Sequence, residues 1–344
     1  LGWADVGMWR PGAWPYAADV DGAGNVWVSG PGGAAKRDAQ SGTWQRYRVP
    51  NTSQFDAFNA DLTIDASGAV YAGANAGPGI GGMVRFDGLR WEGWNTVTYG
   101  LGHPWPFPND NCHALAARPS TGGVAVSPTE WTYGVHEWTG AGFQALMPSG
   151  GAERLCEDSF GRVWALGEYF SLQYLEAGGG HQVGSTAWGS KLAPDPDRPG
   201  TVWAATGHEI KRTDGVYSFS KLLDEFPELN PQSDTFSGLA VDRNGVAWIG
   251  ASVNLGAGGT GGALIRIDAE SDAYQMWRYD QGWPLPGFYV SPLAVTHDGR
   301  VWMQYDTDYL TAQRGLCWFD GTNVGVYPAP PGGDFHGGGK RDLA

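Results

Sequence analysis

His113 and Glu153 stand at matching places in a recurring pattern, and their types suit proton transfer: an imidazole to take the proton and a carboxylate to orient it. Tyr16, Ser190, Ser237 and Ser291 hold the same place in other copies, and Ala60 in a further one, so a polar rim is expected there. A second group lies in the longest stretches between copies, where rings and carboxylates occur together. These are His103, Trp105 and Asp110; Glu130 with Trp131; Glu168 with Tyr169; Trp283 and Tyr289; and Tyr305 with Asp306. Flat rings can lie against the apolar faces of sugars while carboxylates accept from the hydroxyls, and both groups also suit a protein surface. Elimination on a uronic-acid polymer is the alternative chemistry. It needs a base, for which His113 and Tyr289 qualify, and a cation such as Arg314 to neutralise the substrate carboxylate.

Other chemistries find less support. His103 and His113 are ten residues apart, and His136, His181, His208, His297 and His336 are scattered without ligand spacing, so no metal is expected. No nucleophile elbow, phosphate loop or dinucleotide fingerprint occurs, so no cofactor is expected. Cys112, Cys156 and Cys317 are too few and too far apart for a disulfide framework, and they read as small buried hydrophobes.

Seven copies of one phrase must position these residues. The first reads Ala18-Asp19-Val20-Asp21-Gly22-Ala23-Gly24-Asn25-Val26-Trp27. Later copies centre on Val70-Tyr71, Val124-Ala125, Val163-Trp164, Val202-Trp203, Ala247-Trp248 and Val301-Trp302. Successive repeat glycines lie 44, 54, 39, 39, 45 and 54 residues apart, close to the period of propeller blades. Asp21, Asp65, Asp158, Asp197 and Asp242 stand three residues before that glycine, which suits a tight turn between two strands. Pro119 and Thr296 take the place in the third and seventh copies, so those two turns are expected to differ. A third strand ending in Val84-Arg85-Phe86-Asp87-Gly88 or its like, and a fourth carrying an aromatic pair such as Trp91 and Trp94, complete the unit. One such sheet cannot bury both faces alone, so neighbours must stack. The expected fold is all-β: a seven-bladed β-propeller of four-stranded antiparallel blades, forming one domain over residues 1–344, with an irregular tail over 328–344.

The Asp-x-x-Gly-x-Val-Trp phrase, the Arg-Phe-Asp turn and the Trp-Tyr strand resemble the two-component-regulator propeller repeat. That repeat builds periplasmic sensor domains of hybrid histidine kinases. The phrase is also similar to repeats of streptogramin B lyase and of propeller polysaccharide lyases. The resemblance implies a ligand-binding propeller and carries no catalytic residue over.

Composition narrows the partners. With 22 basic and 36 acidic residues the net charge is −14, which repels phosphate backbones and argues against nucleic acid. No run of 18 apolar residues occurs, so no membrane insertion is expected. The expected function is non-catalytic ligand binding or sensing: recognition of an extracellular glycan or protein partner through the loop face of an extracellular or periplasmic domain. A polysaccharide lyase or glycosidase at the same face is one alternative, and a structural subunit of a larger assembly is the other.

Overall fold

The computed structural model describes residues 15–30, 33–48, 61–74, 81–95, 102–107, 111–128, 133–167, 171–176, 179–185, 191–256, 259–283, 289–306 and 314–328. Among them the only helical pieces are two 3-10 turns, Leu223–Glu225 and Tyr279–Gln281. The rest of the regular structure is seven sheets, each a meander of four antiparallel strands in chain order, one of them with a fifth strand added. The fold is a seven-bladed β-propeller. Internal contacts divide it into two compact units, one including Pro15–Ser185 and the other Thr186–Ala344. The first unit holds blades 1 to 4 (17–48, 62–104, 114–147 and 154–185) and the second holds blades 5 to 7 (191–222, 235–278 and 289–328).

The repeat phrase folds as its residue types dictate. All seven repeat glycines, Gly24, Gly68, Gly122, Gly161, Gly200, Gly245 and Gly299, have φ between 73° and 84°, the left-handed region where a side chain is strained. The Asp before the glycine closes the turn: in blade 4 the Asp158 amide donates to the Arg162 carbonyl at 3.0 Å and the Gly161 amide to the Asp158 carbonyl at 3.0 Å. Its carboxylate also accepts from the repeat tryptophan six residues on, at 3.0 Å for Asp21 with Trp27 and 2.7 Å for Asp158 with Trp164. One residue thus sets both the turn and the ring that packs the blade.

The turns of blades 5, 7 and 3 lack the aspartate at the usual place of action, with different results. In blade 5 it is Asp195, not Asp197, that holds the turn, because the loop to Thr201 is two residues longer; Asp195 accepts from the Asp197 and Arg198 amides. In blade 7 the turn keeps the usual backbone bonds, with the Gly299 amide donating to the Thr296 carbonyl at 2.8 Å. Only the side chain differs there. In blade 3 the Arg118 carbonyl accepts from both Thr121 and Gly122. The Arg118 side chain is buried, donating to Glu157 at 2.9 Å, to the Gly161 carbonyl at 3.1 Å and to Glu137.

Blade 2 carries an addition: Gly102–Pro104 runs parallel to the outer strand Trp91–Asn95 as a fifth strand. Blade 6 is enlarged differently, by a hairpin whose strands Ala247–Gly256 and Gly259–Asp268 have ten residues each. Its inner part lies so close to blade 7 that a Cβ at Gly250 would come within 2.2 Å of the Val290 carbonyl oxygen. The three cysteines are buried thiols with no disulfide, and burial pushes each well above the usual thiol range. Residues 329–344, where an irregular tail was expected, lie outside the described residues.

Candidate functional site

In a meander of four antiparallel strands, the start of the first strand, the end of the second and the start of the third share one end of the blade. In the first unit that end collects Tyr16, His113 and Glu153, each one residue before its first strand. Their amides donate to the carbonyls of Ser29, Ser127 and Leu166, the residues at the ends of the paired second strands, at 3.1, 2.9 and 2.8 Å. The three residues are therefore structurally equivalent, as the aligned phrase predicts. Tyr16 is exposed, and His113 and Glu153 are half-buried. The first strands of successive blades within this unit lie side by side, so these positions of blades 1, 3 and 4 lie along one end, with the blade 2 position between the first two. The row offers a phenol, an imidazole and a carboxylate, which suits hydrogen bonding to a peptide or a sugar hydroxyl. Ala60 and Ser190 lie outside the described residues.

The serines of the expected rim have another task. In the second unit the Ser237 hydroxyl donates to the Val290 carbonyl at 2.6 Å, and the Ser291 hydroxyl to the Ser237 carbonyl at 3.0 Å. They join blades 6 and 7.

The same task in the first unit falls to residues that the sequence pattern did not single out. A blade's first strand has no strand partner on one side, so its amides on that side need acceptors. Asp19 accepts from the Ile64 amide at 3.1 Å, Asp61 from the Leu115 amide at 3.3 Å, and the Thr63 hydroxyl oxygen from the Ala117 amide at 2.9 Å. Blade 1 thereby grips blade 2, and blade 2 grips blade 3. The available signal was a charged residue inside an otherwise apolar alternating strand, at Asp19 within Ala17–Val20.

Asp19 also gives this wall a pH dependence. Desolvation by the surrounding protein pushes its carboxyl from 3.8 up to about 7, against the amide bonds from Val20 and Ile64, and with small added repulsion from Asp61 and Asp21. The folded state holds a proton that the unfolded chain releases above the ordinary carboxylate range. This contribution to stability is full below pH 3.8 and is lost as the pH rises to about 7. Urea denaturation at pH 4.5, 6 and 8 should show stability falling across the series, and Asp19→Asn should flatten the fall. An unchanged slope in the variant would assign it to other groups.

The aromatic residues expected on the loops divide differently. Trp105 is 5% exposed and Phe107 7%, packed edge-on to each other at 5.0 Å and each to Phe143 of blade 3 at 5.5 Å. This part of the long insertion is a wedge between blades. We expect Trp105→Ala to lower stability by about 3 kcal/mol through the cavity it leaves, read from denaturation midpoints. A variant that melts like the parent would restore Trp105 to the accessible surface.

Between blades 6 and 7, Trp283 is buried and lies 5.6 Å edge-on to Phe319 of blade 7. It borders a cleft of about 270 Å³ with Trp277, Arg278 and Gln281. Tyr305 is buried, and its phenol is raised well above its ordinary range, chiefly by desolvation. Tyr289 pairs with Asp306, and Asp306 with Arg314, so the three stand in one row across adjacent strands. Asp306 is buried and Tyr289 half-buried. For His103 and Arg314 the backbone strand alone is described, and Asp110, Glu130, Trp131, Glu168 and Tyr169 lie outside the described residues. Among the described residues no cluster of three His, Cys, Asp or Glu could hold a metal, and no helix is long and apolar enough to cross a membrane.

No family model matches the chain, and no curated protein matches it. Solved structures do. YCF48 bound to D1 peptide is 16% identical with a TM-score of 0.54, over 88% of this chain and 97% of that one. A domain of BT4673 from B. thetaiotaomicron, described as the extracellular part of a hybrid two-component system, is 11% identical with a TM-score of 0.54; the match spans 85% of this chain and 37% of that one. A chain of the mitotic checkpoint complex gives a TM-score of 0.54 at 11% identity, over 85% and 83% of the two chains. At these identities the likeness is one of fold, and the propeller repeat inferred from the phrase is borne out.

Proposed function

We propose that the chain is a non-catalytic recognition propeller that binds an extended segment of a partner protein at the end where its first strands begin. The observation that carries this reading is the set of Tyr16, His113 and Glu153, three equivalent positions, the first exposed and the other two half-buried, on a rigid sheet framework. A pair of solved structures alike in fold supports it: one is described as bound to a peptide and another as the extracellular domain of a hybrid two-component system. By the same analogy the domain works outside the cytoplasm and passes on the presence of its ligand.

A glycan is the weaker ligand, because Trp105, Trp283 and Tyr305, three of the four described rings that would have stacked on sugars, are buried, and the fourth, Tyr289, is half-buried. A lyase reading keeps the row of Tyr289, Asp306 and Arg314 in blade 7, a base beside a carboxylate and a cation by register. Screening against a random peptide library, a glycan array and uronic-acid polymers tests these together. The expected result is peptide binding, with the bound molecule recovered at unchanged mass. Binding to glycans alone, or a rise in ultraviolet absorbance from an unsaturated uronic-acid product, would overturn the proposal.

A further inference from the structure

A sheet edge offers a row of unpaired amides and carbonyls, and stable proteins blunt such edges with charge, proline or a cover. The outer strands here follow that rule with one exception. Blade 1 ends in Trp44–Arg48 with Arg46, blade 5 in Ser218–Leu222 with Lys221, and blade 6 in Ala273–Arg278. In blade 2 the chain covers its own edge with Gly102–Pro104. The outer strand of blade 3 is followed at once by Pro148, and that of blade 7 ends on Pro328.

Blade 4 has none of these. Its outer strand, Gly179–Ser185, is the longest of the seven outer strands, reads GGHQVGS, and carries neither proline nor a permanently charged residue. Gly180, His181 and Gln182 are exposed. Gly179–Gln182 pair regularly with Gln173–Glu176, and the register shifts beyond Gln182, leaving a regular run of four residues. Four are enough in this fold, since the added strand of blade 2 holds on with three.

We propose that Gly179–Gln182 is a docking edge at which an extended, basic segment of a partner protein adds as a fifth strand of blade 4. The exposure of Gly180, His181 and Gln182 places main chain at the surface, so main-chain hydrogen bonds supply the affinity. Charge selects the partner. The chain carries −14, and exposed Glu176 stands on the neighbouring strand 3.8 Å from His181, so a second copy is repelled and a basic segment attracted. The site lies on the outer edge of the sheet and does not depend on the row at the first strands.

The test uses the full chain and two heptapeptides, one alternating valine with lysine and one alternating valine with glutamate. Amide hydrogen exchange is followed by NMR. The lysine peptide should slow exchange within residues 179–182 by about tenfold at saturation, and less so in high salt. His181→Pro and Gln182→Pro separate binding from folding, because successive amides of a strand point to opposite sides. The variant whose amide faced solvent should keep the parental melting temperature and lose the protection, while the other melts lower. The proposal is overturned if neither peptide protects these amides, if both protect them equally, or if both proline variants melt as the parent and still bind. Protection that appears without peptide, together with a concentration-dependent dimer in sedimentation, would make the occupant a second copy and equally overturn it.

Discussion

Replacing Arg118 with alanine should lower the stability of the first unit by about 3–5 kcal/mol, the cost of stranding buried charge. Arg118 bridges two carboxylates that water barely reaches, with Glu137 7% and Glu157 2% exposed at the side chain. Removing the guanidinium leaves two negative groups facing each other within one pocket, and Gly161 loses a donor to its carbonyl. Glu157 keeps its bond from the Ser120 amide at 3.1 Å, so the loss is large without being total. The triple variant Arg118→Met, Glu137→Leu and Glu157→Leu should recover most of the loss, because apolar groups of similar volume fill the site without stranded charge. Denaturant midpoints for the two variants decide the matter. If Arg118→Ala is no less stable than the triple variant, burial of the carboxylates is not what makes the arginine necessary.

Trp164→Ala should cost a similar about 3–5 kcal/mol, for a different reason. The ring is fully buried, its indole N–H donates to Asp158 at 2.7 Å, and the Arg162 guanidinium lies 5.4 Å above it. A pair of gentler substitutions separates the ring from the hydrogen bond. Trp164→Phe keeps most of the apolar volume but takes a donor from a buried carboxylate, at about 1–3 kcal/mol. Trp203 occupies the same repeat position in blade 5, equally buried, but its indole N–H has no partner, since Asp195, eight residues before it, is engaged by Arg212 at 2.5 Å. Trp203→Phe should therefore cost less than Trp164→Phe. Equal costs would show that the indole bond adds nothing beyond packing.

That contrast marks how far the sequence could be read. The seven glycines, the Val-Trp pairs and the turn carboxylates obey a local rule, because a hairpin's requirements lie within about ten residues of chain. Asp158, Gly161 and Trp164 therefore gave blade, turn and ring together. Asp195 escaped for a local reason too, a turn two residues longer. Trp105 escaped for a different reason: nothing near it in the chain says that Phe143 waits 5.5 Å away to bury it. Ser237 and Ser291 read as rim residues because strand alternation sets where a side chain starts, and not which carbonyl of the next blade it meets. Asp19 and Asp61 carry the same lesson, since an unpaired strand edge is created only when blades stack. Of the candidate site, the equivalence of Tyr16, His113 and Glu153 was legible in the aligned phrase, and their accessibility was not.

The recognition row can be tested by mapping amide exchange on the protein saturated with its best library peptide. Protection should rise at the starts of the first strands of blades 1, 3 and 4, around Tyr16, His113 and Glu153, and Glu153→Gln with Tyr16→Ala should weaken binding at least about tenfold, or about 1.4 kcal/mol. Protection confined instead to the turns around Gly24, Gly122 and Gly161 at the other end of the same strands, with affinity unchanged in the double variant, would contradict the account.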